Sequence, residues 1–85
     1  MAKLHFSLVA PERELYAGEV DQVDAPGAEG DFGVFVGHEP FMTTLRPGQV
    51  LVRDGSKTRT FAIQGGFADV TPESFTILAE GAVEA

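Results

Sequence analysis

Apolar and polar residues alternate along short segments of this chain, which is the pattern of half-buried β-strands. In the clearest segment, residues 3–10, Leu4, Phe6 and Leu8 are separated by polar residues. The segment ends before Pro11, because proline has no N–H group to donate to a central ladder. The pattern therefore predicts a strand with one buried face.

Further strand-like segments follow, separated by glycine, proline and aspartate. The run over 32–36 is almost continuously apolar, which predicts burial on both faces. Asp54-Gly55 is a strong hairpin signal between two such segments. The regular spacing predicts one domain over residues 1–85, an all-β fold in the form of a small β-sandwich of about eight to ten short antiparallel strands. Besides the first, the predicted strands cover residues 13–20, 22–25, 32–36, 49–53, 58–63, 67–70 and 74–79.

Two short segments carry signals that favour a helix. Pro40 is a residue type that opens helices, so a single helical turn is expected over Phe41–Thr43. The end of the chain, residues 81–85, is expected to begin another helix. Neither segment is long enough to be stable alone.

Composition and charge exclude several classes of function. The chain has 85 residues, no cysteine and a net charge of −7. The negative charge disfavours nucleic acid and anionic lipid as partners, so neither is expected. No apolar run approaches the roughly 20 residues that span a bilayer, so direct membrane insertion is not expected. The first residues also lack the apolar core of a signal peptide.

The chain carries few groups suited to catalysis or ligand binding. Its two histidines are His5, at an outward strand position, and His38, in a loop next to a glycine, where a role at an interface or in ordering the loop is favoured. The repeat of glycines at 27, 30 and 33 is not followed by the Lys-Ser or Lys-Thr of a phosphate loop, so nucleotide binding is not expected. No catalytic, cofactor or metal site is predicted. Phe41 and Met42 fit either the core or an exposed interface patch.

One long segment, residues 30–48, resembles the signature of the epsilon subunit of F-type ATP synthases, which is called delta in mitochondria. The segment contains a Gly-His-x-Pro motif at 37–40 and ends in Pro47-Gly48. Residues 6–18 and 65–82 are similar to the opening and closing strands of the same family. The resemblance therefore extends over essentially the whole chain.

The resemblance implies a β-sandwich that works as a non-catalytic rotor subunit without a cofactor. The expected partners are the gamma subunit and the membrane c-ring, and the expected location is the cytoplasmic side of the bacterial inner membrane. It implies that the loop of Glu29, Gly30 and Asp31 faces the c-ring. Many members continue into two C-terminal helices, which this chain lacks, so no inhibitory arm is expected. The candidates for contact with gamma or at the foot of the stalk, or for support of that contact, are His38, Phe41, Met42 and Leu45.

Three alternatives belong to other classes of protein. A biotinyl or lipoyl carrier domain is similar in size and acidity, with Lys57 as the only candidate for modification. A small enzyme is disfavoured by the scarcity of nucleophiles and bases. A generic β interaction module with an unknown partner would differ from the rotor subunit only in what it binds.

Overall fold

The computed structural model describes residues 3–85, which form ten β-strands. The strands follow one another through short turns, and the alternation of apolar and polar residues sets which side chains of each strand face inward. Their bounds are β1 Leu4–Ala10, β2 Arg13–Val20, β3 Gln22–Gly27, β4 Gly30–Val34, β5 Phe41–Leu45, β6 Gly48–Asp54, β7 Lys57–Ile63, β8 Gly66–Val70, β9 Ser74–Ala79 and β10 Ala82–Glu84.

The strands form one hydrogen-bonded sheet that folds over itself into two layers. Its order is β10-β7-β6-β3-β5-β8-β9-β1-β2, and β4 pairs with β3. Consecutive strands pass from one layer to the other between β5 and β6, between β7 and β8, and between β9 and β10. These three crossings lie side by side and form the fold line of the sheet. One layer is therefore β4-β3-β6-β7-β10 and the other is β5-β8-β9-β1-β2, which confirms the predicted small β-sandwich.

Glycines shape the fold line. The N–H of Glu80 donates to the carbonyl of Gly65, and the N–H of Gln64 donates to the carbonyl of Gly81, both at 2.9 Å. Gly66 has a φ of 155°, and a Cβ atom there would lie 2.3 Å from the backbone oxygen of Leu78. Only glycine allows the two backbones to approach this closely while the chain bends.

The core lies between the two layers and is apolar. Phe6, Phe61 and Phe75 are fully buried at its centre. Rings also meet across the layers, since Phe32 of β4 lies 6.0 Å from Phe75 of β9, measured between ring centroids. Burying each such side chain contributes roughly 1.5–3 kcal/mol, and close packing makes the body stiff.

Both helical predictions are wrong. Phe41–Leu45 is strand β5, because its backbone groups pair with β8 instead of closing a helical turn. Proline can precede a strand as well as a helix, because neither position requires the backbone N–H that proline lacks. The end of the chain forms β10, which pairs with β7, and the N–H of Ala85 donates to the carbonyl of Thr60 at 2.8 Å.

Two further predictions need correction. The strands are not all antiparallel, because β1 and β9 run parallel. Alternation fixes which face of a strand is buried but not the direction of its neighbour. The apolar run over 32–36 is not buried throughout, since β4 ends at Val34 and Phe35 is 55% exposed. The chain turns away there, and the N–H of Gly37 donates to the carbonyl of Pro72.

Candidate functional site: an acidic hairpin beside an apolar sheet face

The acidic loop predicted from the sequence is the tip of the β3–β4 hairpin. Glu29 and Asp31 are both exposed there. Gly30 has a φ of 145°, a conformation that side chains rarely adopt. At Gly27 a Cβ atom would lie 2.5 Å from the Gly30 backbone oxygen and would also clash with Phe32. Glycine at these two positions therefore lets the hairpin close tightly and present its carboxylates to solvent.

Three of the four residues of the second predicted group lie on β5, beside this hairpin. Met42 is 65% exposed, whereas Leu45 is 6% exposed and belongs to the core. Phe41 is half-buried and packs against Phe32 of the hairpin, with ring centroids 5.2 Å apart. Of the three, only Met42 offers a large exposed surface, and Leu45 is placed to support the site rather than to contact a partner.

The hairpin and β5 together border an open depression of about 410 Å³. It brings together the loop that was expected to face the c-ring and two of the residues expected near gamma. One rim is acidic and the opposite wall is aromatic and aliphatic. The residues that line it are Gly27, Glu29, Gly30, Asp31, Phe32, Phe41, Met42 and Thr43.

His38 lies next to this depression without lining it. Its ring centroid is 5.2 Å from that of Phe41, and its Nδ1 is 2.8 Å from the carbonyl oxygen of Glu39. Gly37 has a φ of 88°, which lets the loop turn before the histidine. His38 therefore orders the loop that leads into β5 and supports the Phe41 ring.

Arg46 is a residue of the site that the sequence did not single out. Its Nη2 pairs with the carboxylate of Asp31, and its Nη1 donates to the carbonyl of Gly27 at 3.3 Å. Its backbone N–H donates to the carbonyl of Pro26 at 3.0 Å. The pairing joins residues 15 apart in the sequence, so only the fold reveals it.

The outer face of the β5-β8-β9-β1-β2 layer carries an apolar row that the sequence analysis also missed. Phe67 of β8, Leu78 of β9 and Val9 of β1 lie in register across adjacent strands. Phe67 is 37% exposed and Leu78 54%. Met42 lies on the same face, two residues from Thr44, the partner of Phe67. The one signal in the sequence was Leu78, an apolar residue at an outward position of its strand.

The chemistry of the site suits binding. Within residues 3–85, no group of three or more His, Cys, Asp or Glu side chains is arranged to hold a metal ion. The same part of the chain contains no helix long and apolar enough to cross a bilayer. What the surface offers is two exposed carboxylates on one hairpin and an apolar strip on the adjoining sheet face. Surfaces of this kind recognise proteins.

Known proteins resemble the chain over its whole length. Among curated proteins, the ATP synthase epsilon chain of Caulobacter vibrioides is 75% identical over 85 residues, which are 100% of this chain and 99% of that protein. The epsilon chains of Hyphomonas neptunium and Maricaulis maris are 63% and 61% identical over 94% and 95% of this chain. The chain spans only 60% and 61% of those two proteins.

Solved structures share the fold. A chain in the cryo-EM structure of the Euglena gracilis mitochondrial ATP synthase (OSCP/F1/c-ring, rotational state 1) superposes with a TM-score of 0.92 and 29% identity. The match covers 99% of this chain and 54% of that one. A chain of the Tetrahymena thermophila mitochondrial ATP synthase central stalk and c-ring gives a TM-score of 0.79 over 95% of this chain and 66% of that one. Its identity of 18% supports the fold alone.

A family pattern completes the comparison. Residues 3–85 match the family described as "ATP synthase, Delta/Epsilon chain, beta-sandwich domain". This match covers every residue that the structure describes, including the acidic hairpin and the apolar sheet face. The chain therefore belongs to the family of ATP synthase delta and epsilon chains, of which residues 3–85 form the β-sandwich domain.

Proposed function

We propose that this chain is a non-catalytic central-stalk subunit of a proton-translocating F-type ATP synthase, in which it couples the gamma subunit to the c-ring. The observation that carries the proposal is a closely packed sandwich of this family whose surface has an acidic hairpin beside an apolar sheet face. A subunit that transmits torque needs a body that does not deform and contacts that do not slip, and both surfaces are fixed on paired strands.

The acidic hairpin is the surface proposed to face the c-ring. Glu29, Gly30 and Asp31 lie at its tip, exposed to solvent. Carboxylates in this position favour a partner that presents basic groups. The related Euglena chain comes from an assembly that includes a c-ring.

The apolar sheet face is the surface proposed to bind gamma. Met42, Phe67 and Leu78 form its exposed part. His38, in the loop before β5, packs against Phe41 at the start of that strand, and Leu45 lies in the core beneath this face. Apolar surface of this kind contributes to affinity when a protein partner covers it.

The location follows from these partners. Bound to gamma and resting on the c-ring, the chain would lie peripherally on the cytoplasmic side of the bacterial inner membrane. It would reach the membrane through proteins instead of inserting into lipid, which agrees with its net charge of −7.

The test is a charge reversal on the hairpin. In Asp31→Arg, assembly with gamma is expected to survive, because the apolar face is untouched, while ATP-driven proton pumping in reconstituted vesicles falls. Ser56→Arg, at the tip of the β6–β7 hairpin, introduces the same side chain on another exposed turn and is expected to leave pumping unchanged. If Asp31→Arg altered neither assembly nor pumping, the assignment of the hairpin would be wrong.

The alternative function, that of a biotinyl or lipoyl carrier domain, is tested by a separate measurement. The family match over residues 3–85 favours the rotor subunit. An intact mass equal to that of the unmodified chain is expected, and a prosthetic group on Lys57 would contradict the proposal.

A further inference from the structure

Arg46 binds both strands of the acidic hairpin. From the end of β5, its backbone N–H reaches Pro26 of β3, and its Nη1 donates to the carbonyl of Gly27 at 3.3 Å. Its Nη2 pairs with Asp31 of β4. One side chain thus connects the strand that enters the hairpin with the strand that leaves it.

The other contacts between this hairpin tip and β5 are few. The N–H of Ala28 donates to the carbonyl of Thr44 at 3.0 Å, and Gly27 is the single β3 residue registered with β5, opposite Leu45. Phe32 of β4 also packs against Phe41 of β5, with ring centroids 5.2 Å apart, whereas no atom lies within 4 Å of where a Cβ of Gly30 would be. Among residues 3–85, Arg46 is therefore the one side chain from outside the hairpin that hydrogen-bonds to its tip.

The ion pair between Arg46 and Asp31 gives the two carboxylates of the hairpin, Glu29 and Asp31, different roles. One oxygen of Asp31 is paired with Arg46 within the chain, so part of its charge is already balanced before any partner binds. Glu29 is exposed, and no side chain among residues 3–85 pairs with it. It is the carboxylate of the hairpin that is free to meet a partner.

We infer that Arg46, anchored by Asp31, is a positioning residue that fixes the hairpin, and that Glu29 is the carboxylate that contacts a basic group of the ring. This inference rests on the proposed function. It assigns contact with the ring to Glu29, and it assigns to Asp31 the anchoring of Arg46. An exposed ion pair contributes little to the stability of a whole fold, so the effect of Arg46 is local to the hairpin.

The positioning role is tested on the chain alone by ¹⁵N relaxation and amide exchange. Arg46→Gln and Asp31→Asn are each expected to increase motion and exchange at residues 28–31, and the double variant is expected to do no more than either. Glu29→Gln is the matched control and should leave those amides unchanged. Unaltered amides in Arg46→Gln, or additive effects in the double variant, would overturn the positioning role.

The contact role is tested by binding the complex of this chain with gamma to isolated c-rings. Glu29→Gln is expected to weaken binding by about threefold at low salt, and the difference should disappear at about 1 M salt, where exposed charge pairs are screened. Glu29→Asp should restore most of the affinity, which a purely structural role of Glu29 would not produce.

The outcomes separate this inference from the proposed function. If Glu29→Gln bound rings normally while Asp31→Asn weakened binding without loosening the hairpin, Asp31 itself would be the contact and the inference would fail, although the rotor function would stand. If the unmodified complex did not bind c-rings at all, the proposed function would fail first, and the amide measurements would still decide the role of Arg46.

Discussion

The guanidinium of Arg59 lies 5.1 Å from the centre of the Tyr16 ring and thereby joins the two ends of the folded sheet. Tyr16 is on β2, the last strand of one layer, whereas Arg59 is on β7, next to the last strand of the other. Arg59 also donates two hydrogen bonds of 2.8 Å to the carboxylate of Glu84 on β10. The cluster closes the sandwich at its open seam and holds the terminal strand.

Removing the charge of Arg59 is expected to destabilise this seam. Arg59→Met keeps the aliphatic stem but loses the contact with the Tyr16 ring and both bonds to Glu84. We expect the free energy of unfolding to fall by about 0.5–1 kcal/mol, the usual contribution of an exposed cation–π contact. Urea unfolding measures the change. Arg13→Met, at an exposed position of β2, is the control, and an equal loss in both variants would rule out a specific role of the seam.

A second prediction concerns acid stability at the tip of the β6–β7 hairpin. The backbone N–H of Gly55 donates to Asp21 at 2.6 Å, which lowers the pKa of Asp21 below its ordinary value of 3.8, and Lys3 adds to the effect. Because this pKa is lower in the folded chain, the ionised carboxylate stabilises the fold above pH 3.8 and this stabilisation is lost as the pH falls further.

The measurement is urea unfolding at a series of pH values. Between about pH 6 and pH 3, Asp21→Asn should lose less stability than the unmodified chain, since the amide accepts the same bond but does not titrate. Glu12→Gln removes an exposed carboxylate from the β1–β2 turn and should keep the original slope. A slope in Asp21→Asn equal to that of the unmodified chain would contradict the assignment.

Alanine substitutions at two glycines with similar φ angles distinguish the cost of a steric clash from the cost of backbone strain. Gly66 has a φ of 155° and Gly30 a φ of 145°, but only at Gly66 would a Cβ meet backbone, 2.3 Å from an oxygen of Leu78. Gly30→Ala is expected to cost about 1–3 kcal/mol from strain alone. Gly66→Ala should cost roughly 1–3 kcal/mol more, because the fold line must open to admit the methyl group.

Thermal or urea unfolding of the two variants compares these costs directly. The greater loss in Gly66→Ala should come with changed amide shifts on β8 and β9, whereas Gly30→Ala should affect only the β3–β4 hairpin. Equal losses would mean that the sheet accommodates the clash at Gly66 without cost.

Local patterns in the sequence predicted most of the fold. The alternation of Leu4, Phe6 and Leu8 identified three core residues, and Asp54-Gly55 identified the β6–β7 hairpin, because both signals act over a few residues. They failed where distant segments decide the structure. The parallel pairing of β1 with β9 brings together segments at opposite ends of the chain, and strand β5 exists because β8 lies beside it.

The site was predictable only in part for the same reason. The exposed carboxylates Glu29 and Asp31 followed from a glycine-rich loop and a family resemblance. The ion pair of Asp31 with Arg46 depends on how β5 meets the hairpin, and no local pattern encodes it. The apolar row requires the register of three strands, because Phe67 and Leu78 are 11 residues apart yet lie directly opposite one another.

This apolar row gives the sharpest test of the gamma-binding surface. Leu78→Glu places a charge at the middle of the row, where the side chain is already 54% exposed, so folding should tolerate it. A buried charge without a partner at an interface is costly, and we expect the affinity for gamma to fall more than tenfold. Titration calorimetry with purified gamma measures this change.

The matched control is Val83→Glu, which makes a similar change on β10 in the other layer. Val83 is 59% exposed but lies outside the proposed surface, so its variant should bind gamma normally. Circular dichroism and urea unfolding should show both variants folded to the same extent. If Val83→Glu weakened binding as much as Leu78→Glu, the loss would reflect added negative charge in general. The apolar sheet face would then not be the docking surface for gamma.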